Sequence, residues 1–194
     1  MDAAERATEE RNKTALRRLF EDAFNTRRFD LVDELITSDL KLHTHIRPGP
    51  EGLSPGSKGF HEMIRWIAVG WPKSRVTVQE LMAEGDLVAA RFIFSGTHDG
   101  WLHGNPPTGR DAAWNEMFFA RMRDGKVAEL WHELNIIGIL QQIGVLPPLW
   151  EMGRIPPPLL RMMIVRKRIK RRFLRGDRAV DAWRTATISR EAAD

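Results

Sequence analysis

From Arg75 to Asn135 apolar residues recur at every second position, and so long a stretch of period two calls for several β-strands presenting one common face to a core. Val76 to Met82, Leu87 to His98, Ala112 to Arg123 and Lys126 to Asn135 read as four strands rich in Val, Ile, Phe and Trp. Between the last two stands Asp124-Gly125, a pair that tolerates the left-handed backbone of a two-residue hairpin turn. With those residues as the turn, Arg123 faces Lys126, and the register predicts Phe118 opposite Trp131, Glu116 opposite Glu133 and Trp114 opposite Asn135. One face then carries Trp114, Glu116, Phe118, Trp131, Glu133 and Asn135. The other carries Asn115, Met117, Phe119, Arg121, Leu130, His132 and Leu134. A single bulge would exchange these sets, because the side-chain period is two.

The first third of the chain has a different period. Leu16, Leu19, Phe20, Ala23 and Phe24 follow the spacing of an amphipathic helix, with Arg17, Arg18, Glu21 and Asp22 on its wet side. A short helix is expected from Asp30 to about Ile36, then a strand from Leu40 to Ile46. Residues 47–59, rich in Pro and Gly, read as a loop. Ser57 is the expected cap of a third helix carrying Phe60, Met63, Ile64 and Ile67, which Pro72 ends just after Trp71. Helices first and strands afterwards make an α+β fold, with the helices on one face of a sheet.

The 194 residues contain neither cysteine nor tyrosine, which excludes disulfides, thiolate metal sites, a cysteine nucleophile and phenolic acids. The acidic, polar start from Met1 to Glu10 lacks the apolar stretch of a secretory signal, so a cytoplasmic protein is expected. No apolar run approaches the length of a membrane span. The net charge of +4 is unevenly spread, for residues 147–194 hold twelve Lys and Arg against five Asp and Glu. The body is therefore slightly acidic, and the basic character belongs to the tail.

Several motifs occur in order along the strand region: Glu84-Gly85-Asp86, Ala90-Arg91-Phe92, Gly96-Thr97-His98-Asp99-Gly100, Gly104-Asn105-Pro106-Pro107-Thr108-Gly109-Arg110, Asp124-Gly125-Lys126-Val127, Glu129-Leu130-Trp131 and Ile139-Leu140-Gln141-Gln142-Ile143-Gly144. Together they resemble the SnoaL-like polyketide cyclases, or ester cyclases, of the nuclear-transport-factor-2-like superfamily. The resemblance covers roughly Ala15 to Leu146. It implies a cone-shaped, curved antiparallel sheet with three N-terminal helices. It also implies cofactor-independent chemistry, because such cyclases resemble one another in an acidic residue shortly after the Trp of the final strand, the general base of an intramolecular aldol closure. Here that position is Asn135, and an amide has no useful basicity. Another group is then the base, or the chemistry differs, or the pocket binds without catalysis.

The residues themselves offer other candidates. Glu116 and Glu133 are set directly opposite by the expected register, among Trp114, Phe118 and Trp131, where an apolar setting suits a carboxyl to acid or base work. Their alternative is a solvated pair on an outer face. His132 and His98 are each candidates as base or hydrogen-bond donor, although a histidine satisfied by backbone or water is the commoner outcome. With Asn135 as an orienting donor, these five form the expected catalytic set. His43 and His45 share one strand face, yet no third ligand at a recognisable spacing supports a metal. Trp66, Trp101, His103, Trp114, Phe118 and Trp131 are the candidate lining for a small carbonyl-bearing molecule, against the alternative of an ordinary aromatic core. The leading expectation is a cyclase or isomerase; the alternative is a non-catalytic binding or scaffold protein.

The tail opens with Pro147-Pro148 and Pro156-Pro157-Pro158, marking 1–146 as one domain and 147–194 as a separate arm. Leu159 to Leu174 reads as a basic amphipathic helix, suited to the protein's own body, a second subunit or an anionic surface. A homodimer is the expected assembly, and no specific nucleic-acid binding is expected.

Overall fold

The computed structural model describes residues 2–46, 52–102 and 104–148. The expected tail helix, and His103 with it, lies outside the described residues. Among the described residues four α-helices and five strands appear in the order α1 (Ala3–Arg18), α2 (Asp30–Leu35), β1 (Ile36–Thr44), α3 (Ser57–Gly70), β2 (Arg75–Glu84), β3 (Leu87–Thr97), β4 (Asp111–Arg123), β5 (Lys126–Leu134) and α4 (Ile136–Gln142). The strands form one curved sheet ordered β1-β5-β4-β3-β2, antiparallel from β5 to β2, with β1 added in parallel at the far edge.

α1 starts earlier than its apolar stripe indicates. A capping box closes its first turn, with the Glu5 amide donating to Asp2 at 2.8 Å and the Asp2 amide to Glu5 at 2.7 Å. Its last turn widens into a π-helical segment, Leu19–Phe24, which turns Leu19, Phe20, Ala23 and Phe24 into the core. Phe20 meets Phe92 and Phe118 at centroid distances of 4.5 and 4.6 Å, joining helix to sheet. At the outer edge, the Asn25 side chain stands in for a missing strand. It accepts from the Val76 amide at 2.7 Å and donates to the Val76 carbonyl at 2.8 Å, while Glu21 accepts from the Val78 amide at 3.0 Å. α3 buries Phe60, Met63, Ile64 and Ile67 as its spacing predicts, but its N-cap is Gly56 and not Ser57. Gly56 has φ of 73°, and a Cβ there would stand 2.4 Å from the Ser38 carbonyl oxygen.

The hairpin turn forms as expected, with Asp124 and Gly125 at φ of 53° and 77° and Arg123 paired with Lys126. The register beyond it does not. Met122 pairs with Val127 but Arg121 pairs with Glu129, so Ala128 is an extra residue on β5. Past that bulge the pairs are Phe119 with Trp131, Phe118 with His132 and Met117 with Glu133. The expected pairs Phe118–Trp131, Glu116–Glu133 and Trp114–Asn135 are all displaced by one position, and β5 has exchanged its faces. The inner, helix-covered face consequently holds Trp114, Glu116, Phe118, Leu130 and His132, all buried. Glu133 and Trp131 turn outward.

Candidate functional site

Register alone brings Glu116 and His132 together on the inner face, and the hydrogen bonds complete the assembly. The Glu116 carboxylate accepts from the Trp114 indole Nε1 at 2.6 Å through one oxygen and meets His132 Nε2 at 2.8 Å through the other. His132 Nδ1 lies 3.1 Å from the Thr44 hydroxyl, which accepts from the Ile46 amide at 3.1 Å. One proton assignment satisfies every member of this chain. The Ile46 amide donates to Thr44, the Thr44 hydroxyl to Nδ1, and Nε2–H to a carboxylate that also receives the indole N–H.

The setting is apolar. Glu116 and His132 expose 3% and 1% of their surfaces, and the imidazole is stacked on Phe118 at 4.5 Å with 4° between the planes. A buried carboxyl with two N–H donors is well supported, and removing either donor leaves it short of a partner at a cost of about 1–3 kcal/mol or more. The pair is closed off from solvent by the helices and the sheet around it.

A second histidine lies further along the same layer. Trp71, buried at the C-terminus of α3, contacts Trp114 at 5.0 Å and His98 at 5.2 Å. His98 is fully buried; its Nδ1 sits 3.1 Å from the Thr108 hydroxyl, and its Nε2 has no partner among the described residues. Burial lowers its pKa below the usual histidine value, with Asp99 acting weakly the other way. Its backbone carbonyl accepts from the Thr108 and Gly109 amides, so the same residue anchors the β3–β4 connection.

The remaining candidates are placed elsewhere. Glu133 is on the outer face, its side chain 72% exposed and 3.4 Å from His45. It cannot share a proton with Glu116 through the sheet, and the expected carboxylate pair does not exist. Trp131 also faces outward, stacked on His43 at 5.1 Å. Asn135 is exposed and caps α4, its oxygen accepting from the Gly138 amide at 2.9 Å. Trp101 is 61% exposed, whereas Trp66 is half-buried against the core. His43 and His45 are tied to Glu129 and Glu133. Among the described residues no cluster of three or more His, Asp or Glu side chains could hold a metal, and no helix is long and apolar enough to cross a membrane. Thr44 was not a sequence candidate, for its role depends on the parallel pairing of β1 with β5.

Residues 14–143 match the family of SnoaL-like polyketide cyclases, two thirds of the chain. The chain belongs to that family. Nogalonic acid methyl ester cyclase of Streptomyces nogalater is 30% identical over 125 residues, spanning 63% of this chain and 90% of the relative. Aklanonic acid methyl ester cyclase DauD of Streptomyces sp. (strain C5) is 30% identical over 148 residues, spanning 74% and 88%. The crystal structure of IdmH from Streptomyces antibioticus superposes with a TM-score of 0.60 at 29% identity, covering 69% of this chain and 98% of IdmH. In this SnoaL-like chain the position after the last strand where an acid is expected holds Asn135, and the buried carboxylate of the inner face, Glu116, comes from β4.

Proposed function

We propose that this SnoaL-like protein is a cofactor-independent cyclase or isomerase of a polyketide-like, carbonyl-bearing molecule, with Glu116 and His132 as its proton-handling pair. The observation that carries this reading is the chain Trp114–Glu116–His132–Thr44, a hydrogen-bonded polar network buried among the apolar side chains of the inner face. In an aldol closure the Glu116 carboxylate takes a proton from a carbon flanked by carbonyls, and the C–H pair becomes an enolate. The enolate carbon bonds to a ketone carbon of the same molecule while that carbonyl's π pair moves to its oxygen. Glu116 returns the proton to this oxygen, so product and substrate are isomers and no redox partner is needed. Trp114 and His132 hold the carboxylate in place through their N–H donors.

The relatives' names supply the probes, aklanonic and nogalonic acid methyl esters. With whichever is turned over, Glu116→Gln should lower kcat by about a hundredfold or more. Gln can accept only one of the two N–H donors and leaves the other unpartnered, at about 1–3 kcal/mol of stability. Near-UV circular dichroism must therefore show the fold intact. Full activity in a folded Glu116→Gln protein would exclude the assignment.

A non-catalytic, ligand-binding role is the second reading, supported by the sealing of the pair and the amide at Asn135. It predicts saturable binding of the same esters without product, in wild type and variant alike.

A further inference from the structure

The parallel edge strand β1 reaches the buried pair through Thr44, its last residue. Its register sets Thr44 opposite His132, and the hydroxyl lies 3.1 Å from Nδ1, while the other ring nitrogen faces Glu116. Two further contacts restrict how that hydrogen bond is made. The Ile46 amide donates to the Thr44 oxygen at 3.1 Å, a contact two residues along the chain that pins the side chain where β1 ends. The imidazole lies flat on Phe118, 4.5 Å away with 4° between the planes, which holds the ring in the line from Thr44 to Glu116.

The direction of the hydroxyl hydrogen follows. Among the described residues the Thr44 oxygen meets the Ile46 amide and Nδ1. An amide N–H can only donate, so the hydroxyl hydrogen has Nδ1 as its acceptor, and the ring proton stands on Nε2, 2.8 Å from Glu116. The reverse tautomer points Nδ1–H at an oxygen that already receives the amide, and the hydroxyl hydrogen then has no acceptor among the described residues. His98 repeats the device, with its Nδ1 3.1 Å from the Thr108 hydroxyl. In both buried histidines a threonine occupies Nδ1, and Nε2 is the end left for another partner.

We infer that Thr44 is a positioning residue of the Glu116–His132 pair, whose hydroxyl keeps the imidazole proton on Nε2 and directed at the Glu116 carboxyl. The inference rests on the proton-handling role proposed for that pair, and Thr44 acts only through His132. A histidine held at its second nitrogen presents one tautomer and one ring orientation to its partner. Without the hydroxyl the ring proton is free to move to Nδ1, and Glu116 then faces a lone pair in place of an N–H donor.

The test compares the full chain with Thr44→Val, which keeps the shape and loses the hydroxyl, and Thr44→Ser, which keeps the hydroxyl. Nitrogen-15 NMR of the imidazole rings reads the tautomer directly and needs no turnover. The His132 signals of wild type and Thr44→Ser should be those of the Nε2–H form, and in Thr44→Val they should move toward the Nδ1–H form. With whichever of the aklanonic and nogalonic methyl esters wild type converts, Thr44→Val should lower kcat about tenfold to a hundredfold with KM little changed, and Thr44→Ser should recover most of the loss. A wild-type ring protonated on Nδ1, alone or together with Nε2, overturns the inference, and this spectrum decides even where Thr44→Val does not fold. An unmoved Nε2–H form in Thr44→Val, full activity in that variant, or equal losses in both variants overturns it as well. Absence of turnover in wild type counts against the proposed function alone and leaves the NMR comparison to decide on Thr44.

Discussion

Folding opposes the protonation of His98. Its imidazole is fully buried, its Nε2 lacks a partner among the described residues, and desolvation lowers its pKa. The unfolded chain, with an ordinary histidine, binds a proton as pH falls through about 6.5, whereas the folded chain does not until lower pH. Stability is therefore lost on acidification across that interval and recovered as pH rises. In His98→Gln the interval disappears, so urea midpoints measured from about pH 7.5 down to about 5 should fall less steeply than in wild type. Parallel slopes for the two proteins would mean that His98 titrates alike folded and unfolded. Trp114 and Glu116 illustrate a different point, because their positions on β4 were legible from alternation alone. His132 was legible as a candidate but not as the partner of Glu116, since its face depends on one residue elsewhere in the strand.

That residue is Ala128, and the element it reshapes is β5. Between Val127 and Glu129 it shifts the register by one, turning Leu130 and His132 inward and Trp131 and Glu133 outward. Deleting Ala128 should restore the unbulged register and drive Glu133 and Trp131 into the packed layer beside Phe118. The expected result is loss of the cooperative thermal transition and of near-UV ellipticity. A variant that melts cooperatively near the wild-type temperature would show that the bulge is not what sets the faces. The hairpin turn was readable because Asp-Gly has a local conformational preference. The bulge was not, because alanine at that site carries no local signal and its cause is the packing of both faces. The early turns of α1 escaped periodicity for a related reason: they are exposed nearly all round, and only the Asp2–Glu5 capping box marks them.

For the whole molecule, the described residues close a continuous core from Ala15 to Ile143 around the sheet. The basic arm is outside those residues, and its sequence shifts in charge and proline content at Pro147. Removing Gly153–Asp194 should accordingly leave a soluble body with the wild-type far-UV spectrum and a melting temperature within a few degrees. Salt-sensitive binding to anionic vesicles, measured by co-sedimentation at low and high ionic strength, should be lost with the arm. A truncated protein that unfolds would show that the arm completes the core. By itself the sequence determined the order of helices and strands, the turn at Asp124-Gly125 and the family, because each rests on local periodicity, local backbone preference or ordered motifs. Only the tertiary structure decided that Glu116 meets His132 and not Glu133, that Thr44 completes their network from a parallel edge strand, and that Trp131 turns outward. Each of those contacts depends on register across strands far apart in sequence, which one unmarked residue can shift.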